Sequence, residues 1–197
     1  VPLKGIKMNA MLSNDLSFSV SHNVGGIKVG SKRPDEYVLM IAHWDHLGKR
    51  ESHSLTNDQI YNGAVDNATG VAGVIELANS FKNIALDRSL LFLAVTAEES
   101  GLLGSQYFAE YPPVDLSNIV AGYNFDGILP TGRTRDVVVV GYGASELENI
   151  LEEELNELDM YITPDPAPEK GFFYRSDHIS FAKKGVPMLY ADGGVNL

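Results

Sequence analysis

The sequence predicts an α/β domain, a three-layer sandwich whose central sheet is mixed but largely parallel. Three observations point there. Solid apolar runs, such as residues 37–41 and 90–95, have the composition of strands buried on both faces. Between such runs, apolar residues recur at helical spacing, so strands alternate with helices. Each run that reads as central also ends in His, Asp or Glu, and sheets of this kind gather their chemistry at the carboxyl ends of strands.

Residues 18–24 and 36–42 read as the first strands, with the glycine-rich stretch 25–30 as a hairpin turn between them. Residues 49–61 are polar and loop-like. Val71, Val74, Ile75, Ala78 and Phe81 place a helix over 67–81 with those side chains inward. A strand follows at 87–96, then a short helix at 104–110 that Pro112-Pro113 ends. Residues 119–125 and 137–140 are further strands. Ser145 with Glu148 forms a capping box, opening a helix that buries Leu147, Ile150, Leu151, Leu155 and Leu158. A proline-rich loop covers 163–170, a helix over 177–184 stops at Gly185, and 187–190 begins a last strand. With no internal repeat or linker, residues 1–197 read as a single domain with a sizeable core. The abrupt ends lead us to expect a piece of a longer chain.

The formal net charge of −11 argues against nucleic acid as a partner, because polyanions are repelled. Much of it lies in residues 145–160, whose seven carboxylates read as a solvated helix face. With no cysteine, disulfides, thiolate metal sites and cysteine nucleophiles are excluded. The apolar runs are too short for membrane insertion, and no leader is visible.

The residues at the strand ends carry the chemistry. The strand at 36–42 runs into His43-Trp44-Asp45-His46, the strand at 87–96 into Glu98-Glu99, and the strand at 119–125 into Asp126. Asp66 stands just before one helix and Asp177-His178 open another. Alone, each has an ordinary explanation as a cap, a turn or a solvated surface group. Together, two histidines and three carboxylates make a mixed nitrogen and oxygen ligand set suited to zinc. Adjacent glutamates at a strand end point to opposite sides. One can then bind metal while the other takes a proton from an attacking water and returns it to a leaving amine.

The segments GSKRPDEYVLMIAHWDHLG (30–48), GAVDNATG (63–70), TAEESGLLGS (96–105), NFDG (124–127) and SDHISFAKKGVP (176–187), with Asn23-Val24, resemble the di-zinc aminopeptidase family, which includes the glutamate carboxypeptidase II-like enzymes. The resemblance implies a zinc-dependent exopeptidase (phosphorylase/hydrolase-like) fold, shortened at its C-terminus, and two Zn2+ per chain. It implies that His43 and Asp126 hold one zinc, Glu99 and His178 the other, and Asp66 bridges them across a cis Asp66–Asn67 peptide. Glu98 would be the general base and acid, and Asp45 would accept the second ring hydrogen of His43. His46 and Asp177 would support the site. The implied reaction is removal of the N-terminal residue of a peptide substrate, in a secreted or periplasmic setting. The oligomeric state is not set by the sequence. Two alternatives remain open: a glutaminyl-cyclase-like acyltransferase with a single zinc, and a non-catalytic binding module of the same fold. His22 reads as structural, His53 as exposed, and for Tyr174 and Arg175, just before the 176–178 motif, a reach toward substrate is the less favoured of two readings.

Overall fold

The computed structural model describes residues 5–49, 58–129, 132–194 and 196. Its strands are β1 (Val24–Lys28), β2 (Arg33–His43), β3 (Arg88–Val95), β4 (Ile119–Asn124), β5 (Asp136–Val139), β6 (Tyr161–Pro164) and β7 (Met188–Gly193). Its α-helices are α1 (Gly70–Phe81), α2 (Leu103–Glu110), α3 (Leu147–Glu157) and α4 (His178–Ala182). The strands form one mixed sheet in the order β1-β3-β2-β4-β7-β5-β6. Its centre, β3-β2-β4-β7, is parallel throughout. β1 joins antiparallel at one edge, and β5 with β6 runs against β7 at the other.

Alternation along the central strands sorts the helices onto two faces. Leu39 and Ile41 of β2, Leu91 and Leu93 of β3 and Met188 of β7 share a core with Phe108 of α2 and Phe181 of α4. On the opposite face, Leu189 of β7 and half-buried Tyr123 of β4 pack with Leu147 and Leu151 of α3, and α1 lies against β2 and β3. The central layer is therefore covered on both sides, as the apolar runs require. Leu39, Ile41, Ala42 and Val95 have no exposed surface.

Several elements differ from the sequence expectation. The first strand is Val24–Lys28 and not 18–24, so Gly25 and Gly26 lie in a strand instead of a turn. Pairing with β3, from Val24 opposite Ala94 to Lys28 opposite Leu90, determines this. Asn23 fixes the start, donating to Gly104 O and accepting from Thr96 N. Phe18 and Val20, although alternating, stay exposed. β6 falls partly within the expected loop at 163–170; at the sheet edge, Pro164 costs no ladder bond to a second neighbour.

Helix α1 begins at Gly70 because Asp66 and Asn67 leave helical geometry in the turn before it. Ile75, Ile150 and Leu158, expected inside, are mostly exposed. A layer packed on only one side needs a narrower apolar stripe than the spacing suggested. The capping box forms in altered shape. The Glu148 carboxylate accepts from the N–H groups of Gly143, Ala144 and Ser145, while Ser145 Oγ accepts from Leu147. His22 is exposed outside any strand, and His53 lies outside the described residues. No helix among the described residues is long and apolar enough to cross a membrane.

Phe181 sits at the junction of α4, α2 and the sheet with no exposed surface. Phe181→Ala is expected to lower stability by about 3–5 kcal/mol, since the cavity cannot collapse inside a covered layer. A denaturant midpoint shifted by much less would show that this core is loosely packed.

Candidate metal centre

Register brings the site together. Along the parallel centre, His43 stands opposite Val95 and Ile41 opposite Asn124, so the ends of β2, β3 and β4 lie side by side. The residues just beyond them, 43–46, 96–99 and 125–127, therefore emerge on one edge of the sheet. Asp66 reaches the same edge from the turn before α1, across a cis Asp66–Asn67 peptide bond. The buried Asn67 side chain ties this turn to the end of β4. Its Nδ2 donates to Phe125 O at 2.8 Å, and its Oδ1 accepts from Gly70 N and Gly127 N.

Two clusters of ligand atoms result, each within 4.8 Å: His43, Asp66 and Asp126, and His46, Asp66 and Glu99. In the first, His43 Nε2 lies 3.1 Å from Asp66 Oδ1 and 3.0 Å from Asp126 Oδ1. In the second, His46 Nδ1 lies 2.7 Å from Glu99 Oε1 and 3.9 Å from Asp66 Oδ2. The His46 and Glu99 atoms are buried and close, yet not directed at each other as a hydrogen bond requires. Lone pairs that converge without pairing fit a cation between them. Asp66 takes part in both clusters through its two oxygens, as a bridging ligand would.

Four of the five expected ligands, His43, Asp66, Glu99 and Asp126, are therefore together. His178 is in neither cluster. Its ring is fully buried, 4.9 Å from those of Phe173 and Tyr190, with both nitrogens lacking a hydrogen-bond partner, and burial depresses its pKa to about 4 against the charge of Asp126. The nitrogen donor in the second cluster is His46, expected only to support the site. Its ring meets Tyr61 edge-on at 6.2 Å.

The expected contact of Asp45 with the His43 ring is also different. His43 Nδ1 is 3.1 Å from the main-chain oxygen of Asp45 and 3.7 Å from its carboxylate. That carboxylate accepts instead from the backbone N–H groups of Glu98 and Glu99, at 3.1 and 3.3 Å.

Two contributors escaped the sequence reading. Ser176 Oγ donates to Asp126 Oδ2 at 2.6 Å, and Asn124 Nδ2 donates to Ser176 Oγ at 2.6 Å. The available signal was Asn124 itself, an amide inside an otherwise apolar strand two residues before Asp126. Tyr174 and Arg175 are exposed, with the Arg175 guanidinium 5.3 Å from the Phe172 ring.

The electrostatics are dominated by crowded carboxylates. Burial pushes Glu98 up to about 8, helped by Asp177, Asp126 and Glu99 and opposed by His43. Burial likewise raises Asp177 to about 7, with the Ser105 hydroxyl and His43 opposing. Burial alone would lower His43, but the hydrogen bond and charge of Asp126, with Glu98 and Asp177, raise it to about 9. Burial would raise Asp126, but its bonds to His43 and Ser176 hold it below the ordinary carboxylate range.

The chain is similar to known peptidases. The family model described as Peptidase family M28 matches residues 23–195. A probable zinc metalloprotease of Pyrenophora tritici-repentis is 37% identical over 97 residues, covering 49% of this chain and 22% of that protein. Aminopeptidase YwaD of Bacillus subtilis is 31% identical over 109 residues, covering 54% and 21%. Among solved structures, the aminopeptidase from Aneurinibacillus sp. strain AM-1 superposes with a TM-score of 0.69 at 23% identity, covering 88% of this chain and 39% of that one. The match thus spans about a fifth of the length of those curated relatives and about two fifths of that solved chain.

The direction of the shifts sets a pH dependence for protein stripped of metal. His43, raised from 6.5 to about 9, adds stability that is complete below pH 6.5 and lost as pH rises through 9. Glu98, raised from 4.5 to about 8, acts in the same direction. The denaturant midpoint of chelator-treated protein should therefore fall between pH 6.5 and 9. A midpoint that stays level or climbs over that interval would contradict these assignments.

Proposed function

The chain belongs to peptidase family M28, and from that premise we propose that it is the catalytic part of a zinc aminopeptidase acting through two metal ions. The observation that carries this reading is the pair of ligand clusters sharing Asp66. His43 and Asp126 would hold one zinc, Glu99 the second with His46 or the buried, unpartnered His178 as its nitrogen donor, and Asp66 both. Two histidines and three carboxylates suit zinc in donor type. When bound there, zinc supplies Lewis acidity toward the scissile carbonyl and makes an attacking water acidic near neutral pH.

The remaining work falls to the protein. Glu98 lies beside the metal ligand Glu99 with its proton affinity raised into the neutral range by burial and neighbouring carboxylates. That affinity belongs to the protein without metal; bound cations would favour the ionised form, leaving Glu98 able to take a proton from the attacking water and return it to the departing amine. The backbone of β2 and the Asn124–Ser176–Asp126 hydrogen bonds hold the ligands in place, so their geometry does not depend on substrate. The surplus of negative charge suits a substrate carrying a protonated N-terminal amine, which favours aminopeptidase over carboxypeptidase action. The substrate proposed is accordingly a peptide with a free N-terminus, and the setting proposed is secreted or periplasmic.

The second reading, a glutaminyl-cyclase-like acyltransferase, needs only one zinc. Two distinct ligand clusters argue for two, and stoichiometry separates the readings. We expect about two zinc ions per chain by elemental analysis of the purified protein, and whichever of His46→Ala and His178→Phe lowers the count to one identifies the nitrogen donor beside Glu99. One zinc in the unaltered protein would support the cyclase reading instead. Glu98→Ala should retain both ions yet lose about 10²–10⁴-fold in kcat on aminoacyl chromogenic substrates. Near-normal turnover with full metal content would remove Glu98 from the mechanism.

A further inference from the structure

We propose that the outer edge of β1 and the apolar groove beside it form a dimer interface, filled by residues 15–19 of a second copy of this chain. β1 is the outermost strand of the sheet among the described residues, so one row of its backbone N–H and C=O groups has no ladder partner. An edge of this kind is a template for another strand. Val24–Lys28 does little to discourage pairing: it holds no proline, its one charge is Lys28 at the end, and Val24 and Ile27 are exposed.

Gly25 and Ile27 stand opposite Leu93 and Leu91 of β3 and share their face, the one that α2 covers. With Tyr107 and Phe108 these residues line a groove of about 900 Å³. Leu103, Tyr107 and Tyr111 stay exposed along it.

The chain itself offers an occupant of matching pattern. Leu16, Phe18 and Val20 alternate with polar residues as in a half-buried strand, yet all three are exposed, Phe18 by 95%. Antiparallel pairing of 15–19 with β1 of the other copy sets Leu16 beside Ile27 and Phe18 over Gly25. Both then enter the groove, the aromatic ring filling the space the glycine leaves. The same register sets Asp15 opposite Lys28, a favourable charge pair. The exchange is reciprocal, with a two-fold axis between Ser21 and His22. Phe18, Tyr107 and Tyr111 of both copies can cover about 900–1,500 Å². With the aliphatic side chains this comes within the roughly 1,200–2,000 Å² of a stable interface.

A hairpin within one chain would use the same register, with Ser21-His22 as its two-residue turn. Such turns favour Asn-Gly or similar glycine pairs. These residues are engaged elsewhere instead. Ser21 Oγ lies 2.6 Å from Thr96 Oγ1, and His22 O accepts from Trp44 Nε1 at 3.1 Å. Asn23 is tied to Thr96 and Gly104. Residues 21–23 are thus held beside the end of β3, which favours a strand from a second copy.

Sedimentation equilibrium of the unaltered chain should show a concentration-dependent dimer, and Phe18→Asp should weaken it about 30-fold or more. Because Phe18 is exposed in the single copy, this variant should keep the parent's circular dichroism. The chain has no cysteine, so introduced thiols report position directly. Phe18→Cys mixed with Gly25→Cys should give a disulfide-linked dimer on mild oxidation, far more than either variant alone. A monomer at every concentration would overturn the proposal, as would a dimer indifferent to Phe18→Asp. So would a disulfide that closes within one chain of the double variant while the mixed single variants stay unlinked, the signature of the hairpin.

Discussion

The rest of the site depends on one electrostatic constraint: too many carboxylates share one edge of the sheet. Asp66, Glu98, Glu99 and Asp126 converge there, with Asp177 fully buried behind them. Among the described residues, the ion pairs of this cluster are made with His43 and His46 and not with lysine or arginine. Buried like charges raise one another's proton affinity or demand a counter-ion. Both responses are visible. Glu98 and Asp177 hold protons to unusually high pH, His43 is drawn toward its charged form, and the remaining oxygen and nitrogen donors point into shared spaces where a cation would relieve the repulsion.

Bringing these groups together requires a rigid frame, and the parallel centre of the sheet provides it. Strands covered on both faces cannot slip by one residue without turning their apolar side chains outward. The register that places His43 level with Val95 is fixed by the same packing that buries Leu39 and Ile41. Shorter links then set the final geometry. Asn67 joins the turn before α1 to the end of β4, and Asn124 with Ser176 supports Asp126 from beneath. These side chains face one another and not the open edge of the site.

Much of this was legible beforehand. Solid apolar runs identified β2, β3 and β4 because a strand buried on both faces has no room for polar residues. His43, Asp66, Glu99 and Asp126 were recognisable because each follows or precedes such an element. β1 was misplaced because Leu16, Phe18 and Val20 alternate as a strand should, yet only Val24–Lys28 meets the edge of β3. Ile75 and Ile150 were assigned inward because periodicity gives the direction of a helix face but not its width. The motif holding His178 matched, and both of its ring nitrogens are buried without a hydrogen-bond partner, but a motif does not say which way a ring points. In the fold that ring lies between Phe173 and Tyr190.

By itself the sequence determined the layered α/β class, the strands that form its centre and the residue types gathered at their ends. Those follow from local composition and spacing, which act over a few residues at a time. Tertiary structure alone decided that His46 Nδ1 lies against Glu99 and that the Asp45 carboxylate accepts from two amides. Such choices turn on differences of about an ångström between groups distant along the chain. Only the assembled packing of strands, turns and helices fixes distances on that scale.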